Sequence, residues 1–411
     1  MTAFPHVMEE SASILKLPNT QMLNGLRGFF ALCVFSIHLD TSRYLYNYLG
    51  FKMQAVVMCF FVISSFLLTF SCLSWKPSLT TGWRFRMDAE FWNYWGAYFI
   101  RRFIKIYPLY IIVISLACSN RTASEAFWGL VTFWNHALFI QGLSAFWTIV
   151  IEWDFYYVLP VIVISFRVAE EMDMRRGRVS ARKSVLLFFS TISMFITFCH
   201  PISSYVFLYY HLTPYFPVFW AGSFGAILYR EALRTGLIEN VNMEMDLIVN
   251  FRKRKVNISS ISNKFCWLSL FLLFITQPHF LLKLGFSLDR INADIAYRNF
   301  VGTKSAYICT IVVVLMISFV RRRSFNRFFE WSFFIFMGKI SYPFYLFHLI
   351  VSHSVSKYTY LKGFDGLLVI FSVSVLLGYL LQRLIEEPCI QWGQMLIKFM
   401  RRKCKKDFVI V

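Results

Sequence analysis

Two ionisable residues open the chemistry of this chain: Arg27 and His38 sit 11 positions apart in an otherwise apolar run. At 100° per residue that separation ends about 20° past three full turns, so on one helix they share a face about 16 Å apart. An imidazole titrates close to working pH and can take a proton from a hydroxyl. A guanidinium at the other end can hold an anion. A lone His on an apolar helix is ordinarily a satisfied core residue, but an Arg on the same face makes a polar stripe that must line a cavity. Further along, Glu152 and Tyr156 are i,i+4 neighbours, and Ser341, Tyr345 and His348 share one face of another apolar run. In the basic group Arg101, Arg102 and Lys105, the last two are i,i+3. Ionisable groups inside apolar spans are costly and mark functional paths. Asp154 falls near the face of Trp147 and away from that of Glu152, which leaves its role open.

Composition says what must position these residues. Of 411 residues 57% are hydrophobic and 16% charged, mean hydropathy is +0.55, and 47 positions are Phe. A soluble domain carries about 25% charged residues, and none could bury this much apolar surface, so a cytosolic globule, a coiled coil and disorder are excluded. The expectation is an all-α integral membrane protein. Windows of about 20 mostly apolar residues fall at roughly 22–41, 53–74, 100–118, 145–166, 184–200, 205–229, 264–284, 305–320, 332–355 and 366–387, a bundle of ten spans. Pro214 and Pro217 interrupt the sixth, and 122–141 is aromatic enough to lie along the interface.

The net charge of +20 tests that count. With ten spans, and with the helix-end charges Arg101, Arg102, Lys105, Lys264 and Lys283 counted in the adjoining connections, the termini and even-numbered connections carry 30 of the 42 Lys and Arg, the odd-numbered ones 9, and 3 lie deeper within spans. That is a strong positive-inside bias, placing both termini in the cytoplasm. Arg175-Arg176-Gly177-Arg178, Arg252-Lys253-Arg254-Lys255, Arg321-Arg322-Arg323 and Arg401-Arg402-Lys403 are then charges at the leaflet surface. The partner they imply is the lipid bilayer, with no nucleic acid. The segment 1–21, with Glu9, Glu10 and Lys16, does not read as a cleaved signal peptide. It reads as a cytoplasmic N-terminal segment before a transmembrane domain over 22–390 and a basic tail over 391–411.

The 9 Cys show no CxxC pairing, and Cys33, Cys59, Cys266 and Cys309 lie in apolar runs as small hydrophobes. His200, His211 and His279 have no metal-ligand spacing, and no metal is expected. There is no GxSxG elbow (Gly142-Leu143-Ser144-Ala145-Phe146 fails at its last position), no P-loop, no GxGxxG and no HExxH. No His is followed at four or five residues by Asp, which removes the His-dependent motifs of soluble acyltransferases.

Leu23-Asn24-Gly25-Leu26-Arg27-Gly28 followed by His38 resembles the opening motif of the acyltransferase-3 family, multi-spanning enzymes that O-acylate sugars and other small hydroxylated molecules. Phe60-Phe61-Val62-Ile63-Ser64-Ser65-Phe66 is similar to the family's Phe-Phe-x-x-Ser-Gly-Phe, with Ser65 in place of Gly. Arg101-Arg102-Phe103-Ile104-Lys105-Ile106-Tyr107-Pro108 resembles Arg-x-x-Arg-x-x-Pro, with Lys105 in place of the second Arg. Trp147-Thr148 with Glu152-Trp153-Asp154-Phe155-Tyr156 is close to Trp-Ser-x-x-x-Glu-x-x-Phe-Tyr. Gly338-Lys339-Ile340-Ser341-Tyr342, Tyr345-Leu346-Phe347-His348 and Ile385-Glu386-Glu387-Pro388 complete a resemblance that runs in order over about 22–390.

The resemblance implies O-acyl transfer, most simply acetylation, from acyl-CoA as co-substrate to a hydroxyl of a small molecule or glycan, with no bound cofactor. His38 is then the general base and Glu152 orients or charge-balances its imidazole. Arg27, Arg102 and Lys105 hold CoA phosphates. Trp147 and Tyr156 shape the acyl or acceptor pocket, with Tyr345 and His348 in the same substrate-binding cluster. Span polarity puts Arg27, Arg101, Arg102, Lys105 and Lys339 toward the cytoplasm and the His/Glu/Tyr group in the outer half.

Plainer readings stand beside these. Arg101 and Arg102 could mark only the inner boundary, and Arg383 could pair with Glu386 or Glu387 as a helix-end network. Pro108 and Pro343 should kink their spans. The rival from another class is a proton-coupled transporter using His38 and Glu152 as a relay, against which no paired, interrupted half-chains are seen. A third is an inactive relative, given Ser65, Lys105 and Trp153.

Overall fold

Where no water can reach them, backbone amides and carbonyls must pair within their own segment, so apolar runs in a membrane become helices. A computed structural model of the chain describes residues 20–38, 53–79, 85–119, 133–135, 137–139, 146–199, 212, 215–234, 248–251, 254–275, 324–358 and 364–407. Its helices are α1 Thr20–His38, α2 Met53–Cys72, α3 Ala89–Ser119, α4 Trp147–Arg176, α5 Ala181–Cys199, α6 Phe216–Arg234, α7 Ile258–Ile275, α8 Ser324–Phe329, α9 Ser332–Lys339, α10 Ser341–Tyr358, α11 Phe364–Leu381 and, after a π-helical turn Gln382–Glu386, α12 Glu387–Asp407. Two hairpins, β1 Ser78–Leu79 with β2 Phe85–Arg86 and β3 Ile248–Phe251 with β4 Arg254–Asn257, are antiparallel.

The all-α membrane architecture holds. Two helices, Trp147–Arg176 and the continuous Asp365–Met400, are long and apolar enough to cross a bilayer, and α9 with α10 adds a third if that broken pair is one span. The window 305–320 and both termini lie outside the described residues. Two expectations change in detail. The sixth window is helical only from Phe216, with Pro217 in the first turn, where its missing N–H costs nothing. The ninth breaks at Ile340, because Pro343 cannot donate to the Lys339 carbonyl and its ring would strike it.

The chain divides into two compact units. The first comprises Met1–Ser74, Leu186–Ser204 and Thr213–Lys339. There α1 packs on α8 and α9 through bare backbone. A Cβ at Gly25 would stand 1.6 Å from the Phe329 carbonyl oxygen, one at Gly28 2.1 Å from that of Phe334, and one at Gly338 1.8 Å from that of Asn24. Small residues let helices approach this closely in a membrane. The α2–α6 crossing works likewise: Gly222 faces Ser65, and Thr69 Oγ1 donates to Ser223 Oγ at 2.8 Å in the buried seam. Ser65 therefore has room for its side chain because its opposite number is Gly222.

The second unit comprises Trp75–Val185, Tyr205–Leu212 and Ile340–Val411. Asp88 caps α3 by accepting the Phe91 amide at 3.0 Å, and that bond holds its carboxyl below the usual carboxylate range. Helix α4 ends at Gly177, whose φ of 64° closes the turn through its N–H to the Asp173 carbonyl. The Asp173 side chain then caps α5, accepting the amides of Ala181 at 3.0 Å and Arg182 at 3.1 Å and the Arg182 guanidinium at 3.1 Å. Burial works against the charge of Asp173, but these donors outweigh it and hold its pKa down. Arg167 pairs with Glu170 and donates to the Trp75 carbonyl. Helices α10 and α11 meet where Gly378 rests on Phe344, and α12 lies on α3 where a Cβ at Gly393 would be 2.9 Å from Ile104.

Candidate active site

Three helices of the second unit each present a polar stripe at four-residue spacing or close to it. Helix α4 supplies Thr148, Glu152 and Tyr156. Helix α3 supplies Tyr98, Arg102 and the Ile106 carbonyl, with Pro108 just beyond. Helix α10 supplies Tyr342, Tyr345 and His348. Such stripes lie on single faces of their helices.

These groups meet. The Tyr156 hydroxyl lies beside the Glu152 carboxylate, and Arg102 and Tyr98 lie within electrostatic reach of the same hydroxyl. Thr148 Oγ1 and the Tyr345 hydroxyl share a 2.9 Å hydrogen bond, and Glu152 reaches Tyr345 electrostatically. The Tyr342 hydroxyl donates to the Ile106 carbonyl at 2.6 Å, tying α10 to α3. Tyr98 donates to the Tyr156 carbonyl at 3.4 Å. Tyr156 and His348 are almost wholly buried, while Glu152, Arg102 and Lys105 are half-buried. The Arg102 Nε is buried with no hydrogen-bond partner among the described residues.

His348 is set up by its own helix. Its Nδ1 lies 2.7 Å from the Tyr345 carbonyl oxygen. A carbonyl only accepts, so Nδ1 carries a proton, and whenever the ring is neutral its lone pair is on Nε2. The arrangement joins a carboxylate, an imidazole of defined tautomer and tyrosine and threonine hydroxyls, the groups needed to move a proton and orient a hydroxyl. One face carries the Arg102 guanidinium, which suits an anionic group. Trp147 is buried in the first turn of α4.

Of the residues expected from sequence, Glu152, Tyr156, Tyr345 and His348 lie in this unit with Arg102 and Lys105, and the first four share its polar network. Arg27 and His38 lie on one unbroken helix, α1, as the shared-face argument requires. That helix belongs to the first unit, and the His38 side chain lies outside the described residues. Arg383 pairs with Glu387 at 3.1 Å, which settles the helix-end alternative in favour of Glu387. Tyr98 is a member that sequence reasoning missed, and Thr148 and Tyr342, quoted above within motifs, are members to which it gave no role. Thr148 was within reach, four residues before Glu152 and eight before Tyr156 on the same face.

The acyltransferase domain family matches residues 21–383 of the chain. The acyltransferase MdmB of Streptomyces mycarofaciens is 27% identical over 187 residues, 40% of this chain and 42% of that protein. The chain thus aligns with less than half the length of this relative. No solved structure matches.

Proposed function

From a chain that belongs to the acyltransferase-3 family and is embedded in the membrane, we propose an O-acyltransferase that moves an acyl group, most simply acetyl, from acyl-CoA to a hydroxyl of a small molecule or glycan. The observation that carries this reading is the Glu152–Tyr156, Thr148–Tyr345 network, a buried proton-handling cluster with the Arg102 guanidinium beside it.

In the reaction the acceptor oxygen attacks the thioester carbonyl as a base takes its proton, and the C–S bond breaks to release CoA. His38 is assigned the base, because an imidazole matches working pH. The Glu152 carboxylate, beside the Tyr156 hydroxyl, supplies the negative charge that favours the cation formed when that proton is taken. Arg102, Lys105 and Arg27 hold the CoA phosphates, and the unpartnered Arg102 Nε is a donor available to them. Trp147 and Tyr156 wall the acyl or acceptor pocket, and Tyr345 and His348 orient the acceptor hydroxyl. Ten spans with both termini in the cytoplasm complete the proposal, placing the cationic residues on the side where acyl-CoA is found. The test is incubation of membranes containing the protein with radiolabelled acetyl-CoA. Label should pass to an acceptor that control membranes leave unlabelled, and no transfer from any acyl-CoA would reject the reading.

A further inference from the structure

Glu386 is a buried carboxylate that the mechanism above does not use. It is 8% exposed, whereas the side chain of Arg383 is 59% exposed and Leu384 is 71% exposed. Its helix reaches that orientation only by changing pitch. Gly378 marks the face of α11 that rests on Phe344 of α10, and Ser374, one turn earlier, is wholly buried. At α-helical pitch the eight residues from Gly378 to Glu386 would end about 80° past two full turns, off that face. The turn Gln382–Glu386 is π-helical, with the Glu387 amide bonded to the Gln382 carbonyl five residues back. A π turn rotates less per residue, and it takes that excess back. Glu386 returns to the inner face, where Gly393 follows it onto Ile104 of α3 and Ile397, further along, is buried.

The sequence supplies the cause. Pro388 has no amide hydrogen, and its ring would strike the carbonyl four residues back, that of Leu384. Widening the preceding turn relieves the clash. Single π turns recur at functional sites, and a buried carboxylate in a membrane span is a functional residue by default.

From that inner face Glu386 comes within electrostatic reach of Tyr342, whose hydroxyl lies in the field of both Glu386 and Glu152. Tyr342 donates to the Ile106 carbonyl, one residue beyond Lys105 and one turn beyond Arg102, and Tyr345 is three residues along from it. The tyrosine therefore joins the helix of the cationic residues to the helix of the hydroxyl and imidazole groups. We propose that Glu386 is a positioning residue of the transfer site, aimed at Tyr342 by the π turn that Pro388 imposes, and that through Tyr342 it keeps α3 and α10 in register. The proposal rests on the acyltransferase reading above.

The test measures label transfer from radiolabelled acetyl-CoA, as maximal rate and KM for acetyl-CoA, in membranes bearing wild type, Glu386→Ala, Glu386→Gln, Pro388→Ala, Tyr342→Phe and the Glu386→Ala/Tyr342→Phe double variant. Folding is followed in parallel by Tm in detergent. Glu386→Ala should lower the maximal rate about tenfold to a hundredfold, the scale of a mispositioned site, with KM nearly unchanged, and Glu386→Gln should recover part of it. Pro388→Ala touches no polar side chain and should keep or raise Tm, since Ala suits a helix interior better than Pro. It should nevertheless reproduce the Glu386→Ala rate, because the relaxed turn swings the carboxylate away. The double variant should be no slower than the slower single. Wild-type rates in Pro388→Ala or Glu386→Ala, or rates that fall only in step with folded protein, would overturn the proposal. Absence of transfer by wild type would instead overturn the acyltransferase reading, and this inference with it.

Discussion

Arg102 is the residue whose surroundings ask most plainly for a ligand. Its Nε is buried and unpartnered among the described residues, and it lies beside the Tyr156 hydroxyl. Hydrogen bonds to charged groups contribute about 1.5–3 kcal/mol, so Arg102→Ala should raise KM for acetyl-CoA by about tenfold to a hundredfold with little change in maximal rate. Arg102→Lys should fall between, because Lys meets phosphate only as a point charge. An unchanged KM in folded Arg102→Ala would make the residue a marker of the inner boundary alone. The Thr148–Tyr345 bond makes a second case: if Tyr345 orients the acceptor, as proposed, Tyr345→Phe should slow transfer and leave KM for the donor alone. Sequence reasoning found Glu152 and Tyr156 because an i,i+4 pair is readable directly. It gave Thr148 no role because a hydroxyl in an apolar helix reads as bonded to its own backbone, and only the arrival of Tyr345, 197 residues away, shows otherwise.

At the scale of elements, glycine and one aspartate set what packs where. Gly28→Ala puts a Cβ 2.1 Å from the Phe334 carbonyl oxygen and 2.7 Å from the Gly338 amide nitrogen, both backbone atoms that cannot turn aside. It should destabilise by about 1–3 kcal/mol or more, read as a lower Tm in detergent. Gly96→Ala on α3, with nothing within 4 Å of the new Cβ, should be neutral or slightly stabilising. Asp173 stabilises the α4–α5 turn in its charged form. Its pKa is lower folded than unfolded, so its contribution is present above the unfolded value of about 3.9 and is lost as pH falls through the folded one. Asp173→Asn should therefore lower stability near neutral pH, by about 3 kcal/mol if the charge of Arg182 is left unpaired, read as a lower Tm, and flatten the fall of Tm in acid. An acid limb as steep as wild type's would contradict this. The charges of this turn were legible as a basic flank but not as a network. The Asp173–Arg182 pair spans nine residues and exists only because Gly177 turns left-handed.

Across the whole molecule, the apolar windows were legible because helix is the one local solution for such segments in lipid. Their breaks were legible in part: the kink expected at Pro343 is there, a 75° bend between α9 and α10, whereas Pro108 is carried inside α3 and Pro388 widens a turn, outcomes decided by neighbours as well as by proline itself. The topology proposed from the basic residues predicts that single cysteines placed in 230–263 react with an impermeant maleimide only after the membrane is opened. Reaction from outside would overturn the ten-span arrangement. The central claim is that the polar stripes drive acyl transfer, and one assay bears on it most directly: label transfer from radiolabelled acetyl-CoA by wild type, His38→Ala and Glu152→Gln in matched membranes. The account predicts that folded His38→Ala still binds the donor but transfers roughly a hundredfold or more slowly, the scale of a positioned general base, with a smaller loss and a shifted pH profile in Glu152→Gln. Near-normal transfer by both folded variants would contradict it.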